Sequence, residues 1–236
     1  PGNRAALEAI REPSDACICA GDLVDYGPDP AGCVAWAQAH ATYCVRGNHD
    51  HGAVQDVDVS SGSAGGFRYL TAATRRATVN KLSACDRRFL ADLPTSQLLT
   101  LGGKRFLLVH ATPRDPLDEY VPADPDAWAA RLAGWDVDFL CVGHTHLQFQ
   151  LQIGKTMVLN PGSVGVQRDG NPKAGYAVIE DGIVQLRRVE YDVGRAVAAV
   201  DAAPLDPKAK QVLGEVYRTG RYPHGGRSRP AEAVAG

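Results

Sequence analysis

Tyr43-Cys44-Val45-Arg46-Gly47-Asn48-His49-Asp50 joins a short apolar run, a glycine break and three polar side chains. The apolar run predicts a strand, and Gly47 ends it. The amide of Asn48, the imidazole of His49 and the carboxylate of Asp50 are then delivered where a strand gives way to a loop. Ligands of α/β sheets sit at such strand ends. Side by side, these three groups can coordinate a cation, donate a proton and orient the donor. The same residues also suit a turn that caps a helix, because Asn and Asp favour such positions. The rest of the chain has to decide between the two readings.

The pattern recurs. Asp15 to Ala20 is an apolar run of the kind that forms a buried parallel strand, and Gly21-Asp22 closes it, with Asp25 three residues on. Lys104 to Val109 ends in His110, and Phe139 to Val142 ends in Gly143-His144-Thr145-His146. Four of the 7 histidines therefore stand directly beyond an expected strand. A donor set of Asp22, Asn48, His110, His144 and His146 mixes oxygen with imidazole nitrogen. That mixture suits Mn, Fe, Zn or Ni better than Ca or Mg, because imidazole is a borderline donor.

Between these strand ends the local signals alternate helix and strand. Arg4 to Ile10 has helical composition and spacing. Asp29-Pro30, Ser83 and Asp124-Pro125 are cap-type starts for helices over 30–40, from 84 onward and over 125–133. Residues 51–66 read as a loop or lid and Phe67 to Leu82 as helix, so that 51–93 forms an inserted cap. Gln97 to Leu101 and Lys104 to Val109 predict a hairpin through Gly102-Gly103. Further strands are expected at 149–153, 156–159, 176–179 and 183–191, and a helix near 207–217. The tail from 223 to 236, rich in Gly, Arg, Pro and Ala, has too few apolar residues to pack and is expected to be disordered.

Composition narrows the function. With 236 residues, 44% hydrophobic and 22% charged, the chain can build one sizeable α/β core. A net charge of -2 gives no strong signal for nucleic acid. No apolar run approaches the roughly 18 residues of a membrane span, and no signal peptide opens the sequence, which predicts a soluble, cytoplasmic protein. The 6 cysteines are scattered, mostly in apolar runs, and read as reduced core thiols rather than as a zinc or redox motif.

Taken together, Gly21-Asp22-x-x-Asp25, Gly47-Asn48-His49-Asp50, Val109-His110 and Gly143-His144-Thr145-His146 resemble, in order and spacing, the calcineurin-like metallophosphoesterases. Tyr26-Gly27-Pro28-Asp29-Pro30 and Asn160-Pro161-Gly162-Ser163-Val164-Gly165 are similar to the small bacterial single-domain branch. The resemblance spans most of residues 1–191. It implies an α/β (α+β layered) fold in which a β-sandwich is flanked by helices, with a two-metal site at the C-terminal ends of the strands. The domain would run over 1–194, followed by a helical extension at 195–222. Carried over by position, Asp22 would bridge two divalent transition metals. Asn48, His110 and His144 would complete one site, and His146 would bind at the other. His49 would face the leaving group with Asp50 holding its ring, and Arg46 would reach a phosphate oxygen. The implied activity is hydrolysis of a small phosphate ester, monoester or diester, by metal-activated hydroxide.

One departure stands at the start. The family's first motif, Asp-x-His, is followed by Gly-Asn, here Gly2-Asn3, so Pro1 occupies the place of its His. The expectation is that a strand and an Asp ligand lie upstream, and that the first metal is weakly held or absent. This keeps open a catalytically impaired metal-binding or scaffold protein of the same fold. A nucleotide-specific phosphodiesterase, with Phe67, Tyr69 or Tyr120 as base-stacking residues, and a protein phosphatase using Arg46 are further alternatives.

Overall fold

The computed structural model describes residues 2–55, 57, 59 and 66–223. Pro1, half of the expected lid (56, 58 and 60–65) and the tail from 224 onward lie outside the described residues. After α1 (Arg4–Ala9) comes β1 (Ile18–Cys19), which α2 (Pro30–His40) connects to β2 (Tyr43–Cys44). The two strands pair in parallel, with Ile18 opposite Tyr43 and Cys19 opposite Cys44. Three helices follow: α3 (Asn48–Val54), α4 (Gly66–Lys81) and α5 (Ala84–Asp92). His51 to Val54 thus continue the helix begun at Asn48 instead of forming a loop, and Ala53 is buried on it.

The remaining strands are β3 (Ser96–Leu101), β4 (Lys104–Val109), β5 (Phe139–Cys141), β6 (Gln148–Ile153), β7 (Thr156–Pro161), β8 (Ala174–Glu180) and β9 (Ile183–Val189). Helix α6 (Pro125–Leu132) lies between β4 and β5, and α7 (Val193–Ala202) and α8 (Pro207–Thr219) close the order. A five-stranded sheet has the order β3-β4-β5-β7-β6, and β8 pairs with β9. The pairs β4–β5 and β5–β7 are parallel, while β3–β4 and β6–β7 are antiparallel hairpins.

Period-two alternation decides what each face buries. On β4, Phe106 and Leu108 point into the layer shared with Val45, Phe139, Cys141, Leu159 and Val184, against Ile18 and Tyr43. The alternate residues Leu107 and Val109 point the other way, onto Trp128 and Leu132 of α6. The result is a two-layer sandwich with helices outside. The outer face of β1 and β2 is covered through Cys44, Val34, Ala53, Leu90 and Leu93, contributed by β2, α2, α3, α5 and the chain just after α5.

The segment expected as a C-terminal extension forms α7 and α8, whose Val197, Val200, Leu213, Val216 and Tyr217 pack with Leu70 of α4 and with Tyr26 and Val166. At about 1.5–3 kcal/mol for each fully buried aliphatic or aromatic side chain, this contact ties α7 and α8 firmly to the loops that carry Tyr26 and Val166. Among the described residues no helix is long and apolar enough to cross a membrane.

Candidate metal centre

Two parallel pairs from separate sheets, β1–β2 and β4–β5, hand their C-terminal ends to one place. The chain has to turn sharply there, and the backbone records it. Asp22, Asp25, Tyr26, His144 and His146 all adopt positive φ, between 55° and 63°. Each such residue costs about 1–3 kcal/mol and persists only where its surroundings hold it. Asp50 holds the first turn by accepting the backbone N–H groups of Asp22 (2.7 Å), Leu23 (2.8 Å) and Gly47 (3.0 Å). Asn160 holds the second, donating to the Gly143 carbonyl at 2.5 Å and to Thr145 Oγ1 at 3.1 Å. Gly47 is required because a Cβ there would stand 2.1 Å from Asp22 Oδ1.

The donor atoms converge. His110 Nε2 lies 3.3 Å from Asp22 Oδ2, 3.1 Å from Asn48 Oδ1 and 3.3 Å from His144 Nδ1, and His144 Nδ1 is 3.2 Å from Asn48 Oδ1. His110 Nδ1 donates to the Ala20 carbonyl at 2.7 Å, which fixes its proton there and leaves Nε2 as a lone pair when the ring is neutral. His146 is fixed in the same way, with Nδ1 donating to Val166 O at 2.5 Å. Metal-binding histidines characteristically give their other N–H to a carbonyl or carboxylate.

Two ligands of one transition metal, each about 2.0–2.1 Å from it, stand roughly 3.0–3.4 Å apart. The observed separations fall in that range, so the residues fit a divalent transition metal. Among the described residues no group of three or more His, Cys, Asp and Glu side chains forms a cage by itself. The cluster closes only through the amide oxygen of Asn48.

Electrostatics prepares the same atoms. Burial resists the charge on Asp22, yet His110 and His49 outweigh it and hold the carboxyl well below its ordinary range. Burial, helped by the neighbouring His110, pushes His144 down to about 4. His146 is driven well below the usual imidazole value by burial first and by the charge of Arg168 second. Both rings are therefore neutral at pH 7, the form in which imidazole binds a metal.

His49 stands beside the cluster, its Nε2 3.9 Å from Asp22 Oδ2 and its backbone N–H donated to Asp22 Oδ1 at 2.9 Å. Its Nδ1 meets Asp25 Oδ2 at 2.8 Å. This corrects the expectation for Asp50. Successive helical residues point about 100° apart, so Asp50, one position beyond His49 on α3, turns back to the loop N–H groups and cannot reach the ring. Asp25 is in turn held by Arg75 of α4, with Nη2 2.6 Å and Nε 3.0 Å from Oδ2. Tyr26 lies against His49, ring centroids 4.6 Å apart, and its backbone N–H donates to Thr74 Oγ1.

Arg46 is also corrected. Val45 faces the sandwich interior, so the pleat turns Cys44 and Arg46 to the helix side. There Arg46 Nη1 donates to Ala91 O at 3.0 Å, at the C-terminal end of α5 where carbonyls lack helical partners.

Of the expected site residues, Asp22, Asn48, His110 and His144 come together, with His49 beside them. His146 shares Tyr26 with His49, its ring edge-on to Tyr26 at 6.3 Å. The residues that sequence reading missed are the supports, Asp25 as the partner of His49, then Arg75 and Arg168. Asp25 carried a signal in the Gly-Asp-x-x-Asp spacing, whereas Arg75 carried none. The recess lined by Gly27, Pro30, Thr78 and Leu205 contains none of the donors. Of the aromatics considered for base stacking, Tyr69 is engaged with Asp206 and Phe67 lies under Arg168. Tyr120 is 54% exposed with its ring 5.9 Å from His144.

Comparison with known proteins bears on this arrangement. The family model of the calcineurin-like phosphoesterase superfamily domain matches residues 2–181. An uncharacterized protein of Methanocaldococcus jannaschii is 30% identical over 224 residues, covering 86% of each chain. The crystal structure of a metallophosphoesterase from Sphaerobacter thermophilus is similar with a TM-score of 0.75 and 27% identity, over 91% of this chain and 95% of that one. A hypothetical protein from Pyrococcus horikoshii OT3 shares the fold at a TM-score of 0.75 and 20% identity, over 90% and 93% of the two chains.

Proposed function

Because the chain belongs to the calcineurin-like phosphoesterase superfamily, we propose that it hydrolyses a small phosphate ester at the cluster of Asp22, Asn48, His110 and His144. The observation that carries the proposal is the convergence of four donor atoms at 3.1–3.3 Å, with the His110 proton fixed on the far side of its ring. Such a group of lone pairs is repulsive unless a cation or a proton lies among them. These residues would hold a divalent transition metal such as Mn, Fe, Zn or Ni, with His146 contributing to a second one. A bound metal of this kind lowers the pKa of water and polarises phosphoryl oxygens.

The remaining chemistry belongs to the chain. Asp22 has an oxygen on the cluster and its other oxygen on the His49 backbone, so the donor group and His49 are set by one side chain. His49, with Nδ1 committed to Asp25, presents Nε2 toward the cluster for passing a proton to the departing ester oxygen. Asp25 fixes the ring orientation and Arg75 keeps Asp25 ionised in its buried position.

The test is hydrolysis of p-nitrophenyl phosphate and bis-p-nitrophenyl phosphate by protein stripped with chelator and reloaded with Mn, Fe, Zn or Ni. Turnover should require metal and should fall roughly 10²–10⁴-fold in His49→Ala with metal content unchanged. Metal-independent turnover, or turnover indifferent to His49→Ala, would overturn the reading. Metal binding without turnover on any ester would favour the scaffold alternative. Tyr120, exposed beside His144, supports a second reading in which the leaving group carries a flat base. Its signature is a higher KM for a nucleotide ester than for p-nitrophenyl phosphate in Tyr120→Ala relative to the wild type.

A further inference from the structure

Resting on this phosphoesterase reading, we infer that Arg168 grips the anionic end of the substrate and so selects phosphomonoester dianions over phosphodiesters. Arg168 follows closely on Val166, whose carbonyl fixes His146. The turn that carries it is held rigidly. Val166 N–H donates to Ser163 Oγ at 3.0 Å, Gln167 Nε2 to Val164 O at 2.8 Å, and Asn3 Nδ2 to Gly165 O at 3.3 Å.

The guanidinium lies 4.0 Å over the ring of Phe67, and Nη2 donates to the Tyr26 hydroxyl at 3.4 Å. Its Nε is buried without a hydrogen-bond partner among the described residues. Arg75, Arg131 and Arg187 are matched to carboxylates, Asp25, Glu119 and Glu12, while Arg46, whose Nε is also buried without a partner, is held away from the cluster by the Ala91 carbonyl. Even Asp169, next in sequence to Arg168, pairs with Arg188 instead.

Stacking on Phe67 fixes the plane of the guanidinium, and along its donor edge Nε has no partner among the described residues while Nη2 has only the long bond to the Tyr26 hydroxyl. That edge has the geometry of a two-point grip on phosphate or carboxylate oxygens. Arg168 meets Tyr26, which packs tilted against His49, so it stands one side chain away from the group placed beside the cluster. A monoester offers three non-bridging oxygens and up to two negative charges, whereas a diester offers two oxygens and one charge. Two oxygens turned toward the donor cluster leave one over in the monoester alone, and among the described residues Arg168 is placed to take it.

The experiment uses the full metal-loaded chain and titrates inorganic phosphate calorimetrically into the wild type, Arg168→Gln and Arg168→Lys, with thermal unfolding as the folding control. Phosphate should bind about 10- to 100-fold more weakly to Arg168→Gln, the loss of a charge-assisted contact, and Arg168→Lys should recover part of it. In parallel, KM for p-nitrophenyl phosphate should rise by a similar factor with little change in kcat, while KM for bis-p-nitrophenyl phosphate moves far less. Wild-type phosphate affinity in Arg168→Gln, equal losses on both esters, or no phosphate binding by the wild type would each overturn the inference. Arg168-dependent phosphate binding without turnover on either ester would uphold the anion grip and remove the phosphoesterase reading instead.

Discussion

Arg75 on α4 and Asp25 in the turn after β1, 50 residues apart in sequence, form a buried ion pair with Nη2 2.6 Å from Oδ2. Asp25 is completely enclosed and adopts positive φ. Burial opposes its charge, but His49 and Arg75 together hold the carboxyl below its usual range. The cap helix is thereby part of the support of His49. Removing one partner leaves a buried charge unmatched, which costs about 3–5 kcal/mol. Arg75→Met should therefore lower urea-unfolding stability by about that amount, and the Arg75→Met/Asp25→Asn pair should regain a good part of it. A strictly additive double variant would mean that the two groups do not depend on each other.

Asp25 and Asp50 have different tasks, and matched variants separate them. Asp25→Asn keeps the shape but removes the carboxylate that orients His49, so kcat should fall about 10²-fold or more while metal content stays near that of the wild type. Asp50→Asn disturbs the side chain that gathers the N–H groups of Asp22, Leu23 and Gly47. It should destabilise the chain by about 1–3 kcal/mol and lower bound metal, because the Asp22 turn loosens. Metal analysis alongside kinetics distinguishes the outcomes. If Asp50→Asn retained metal and Asp25→Asn lost it, the two roles would have to be exchanged.

That Asp25 holds His49, where Asp50 is the expected partner, separates what a sequence makes legible from what it hides. Asp22, Asn48, His110 and His144 could be read because each follows an apolar strand, and strand ends meet in α/β folds. Helix starts at Asp29, Ser83 and Asp124 could be read because capping is local chemistry, and each side chain does accept from its first turn. The Asp25–His49 bond depends on a left-handed backbone at Asp25 that its neighbours impose, and no spacing rule contains it. Nor does composition distinguish Arg75 from the adjacent Arg76 on α4; the one is buried and the other exposed only because α4 packs over Tyr26. Sheet order is hidden for the same reason. That β7 lies between β5 and β6 follows from long-range packing, whereas the two hairpins are written in their turns.

Gly47 sits so close to Asp22 that a methyl group cannot be added without moving the carboxylate. Gly47→Ala should consequently act on metal binding. Elemental analysis should show metal content reduced by half or more, with a stability loss of about 1–3 kcal/mol from overpacking. Gly154→Ala is the control. Unlike Gly47 it has positive φ, but nothing lies within 4 Å of the added carbon, so it should lose stability through backbone strain and keep its metal.

Glu119 anchors the loop that carries Tyr120 toward His144. Arg131 Nη2 donates to it at 2.6 Å, Thr112 Oγ1 at 2.5 Å, and Arg114 also contacts it. The Arg131 bond above all, opposed by burial and aided by Thr112 and Arg114, brings its carboxyl down to about 2 from an ordinary 4.5. A carboxylate depressed in the folded state stabilises it fully above the unfolded pKa, and that contribution disappears as pH falls through the folded pKa. The window for Glu119 therefore runs from about pH 4.5 down to about 2. After discounting for solvent screening the contribution is about 1 kcal/mol, since exposed ion pairs are worth little. Urea unfolding at pH 6 and pH 3 should show the wild type losing about 0.6 kcal/mol more than Glu119→Gln across that interval, the rest following as pH falls to about 2. Equal losses would mean that Arg131 and Thr112 do not favour the charged form. The loop under Tyr120 would then have to be held by the buried Val121 against Trp128 rather than by charge.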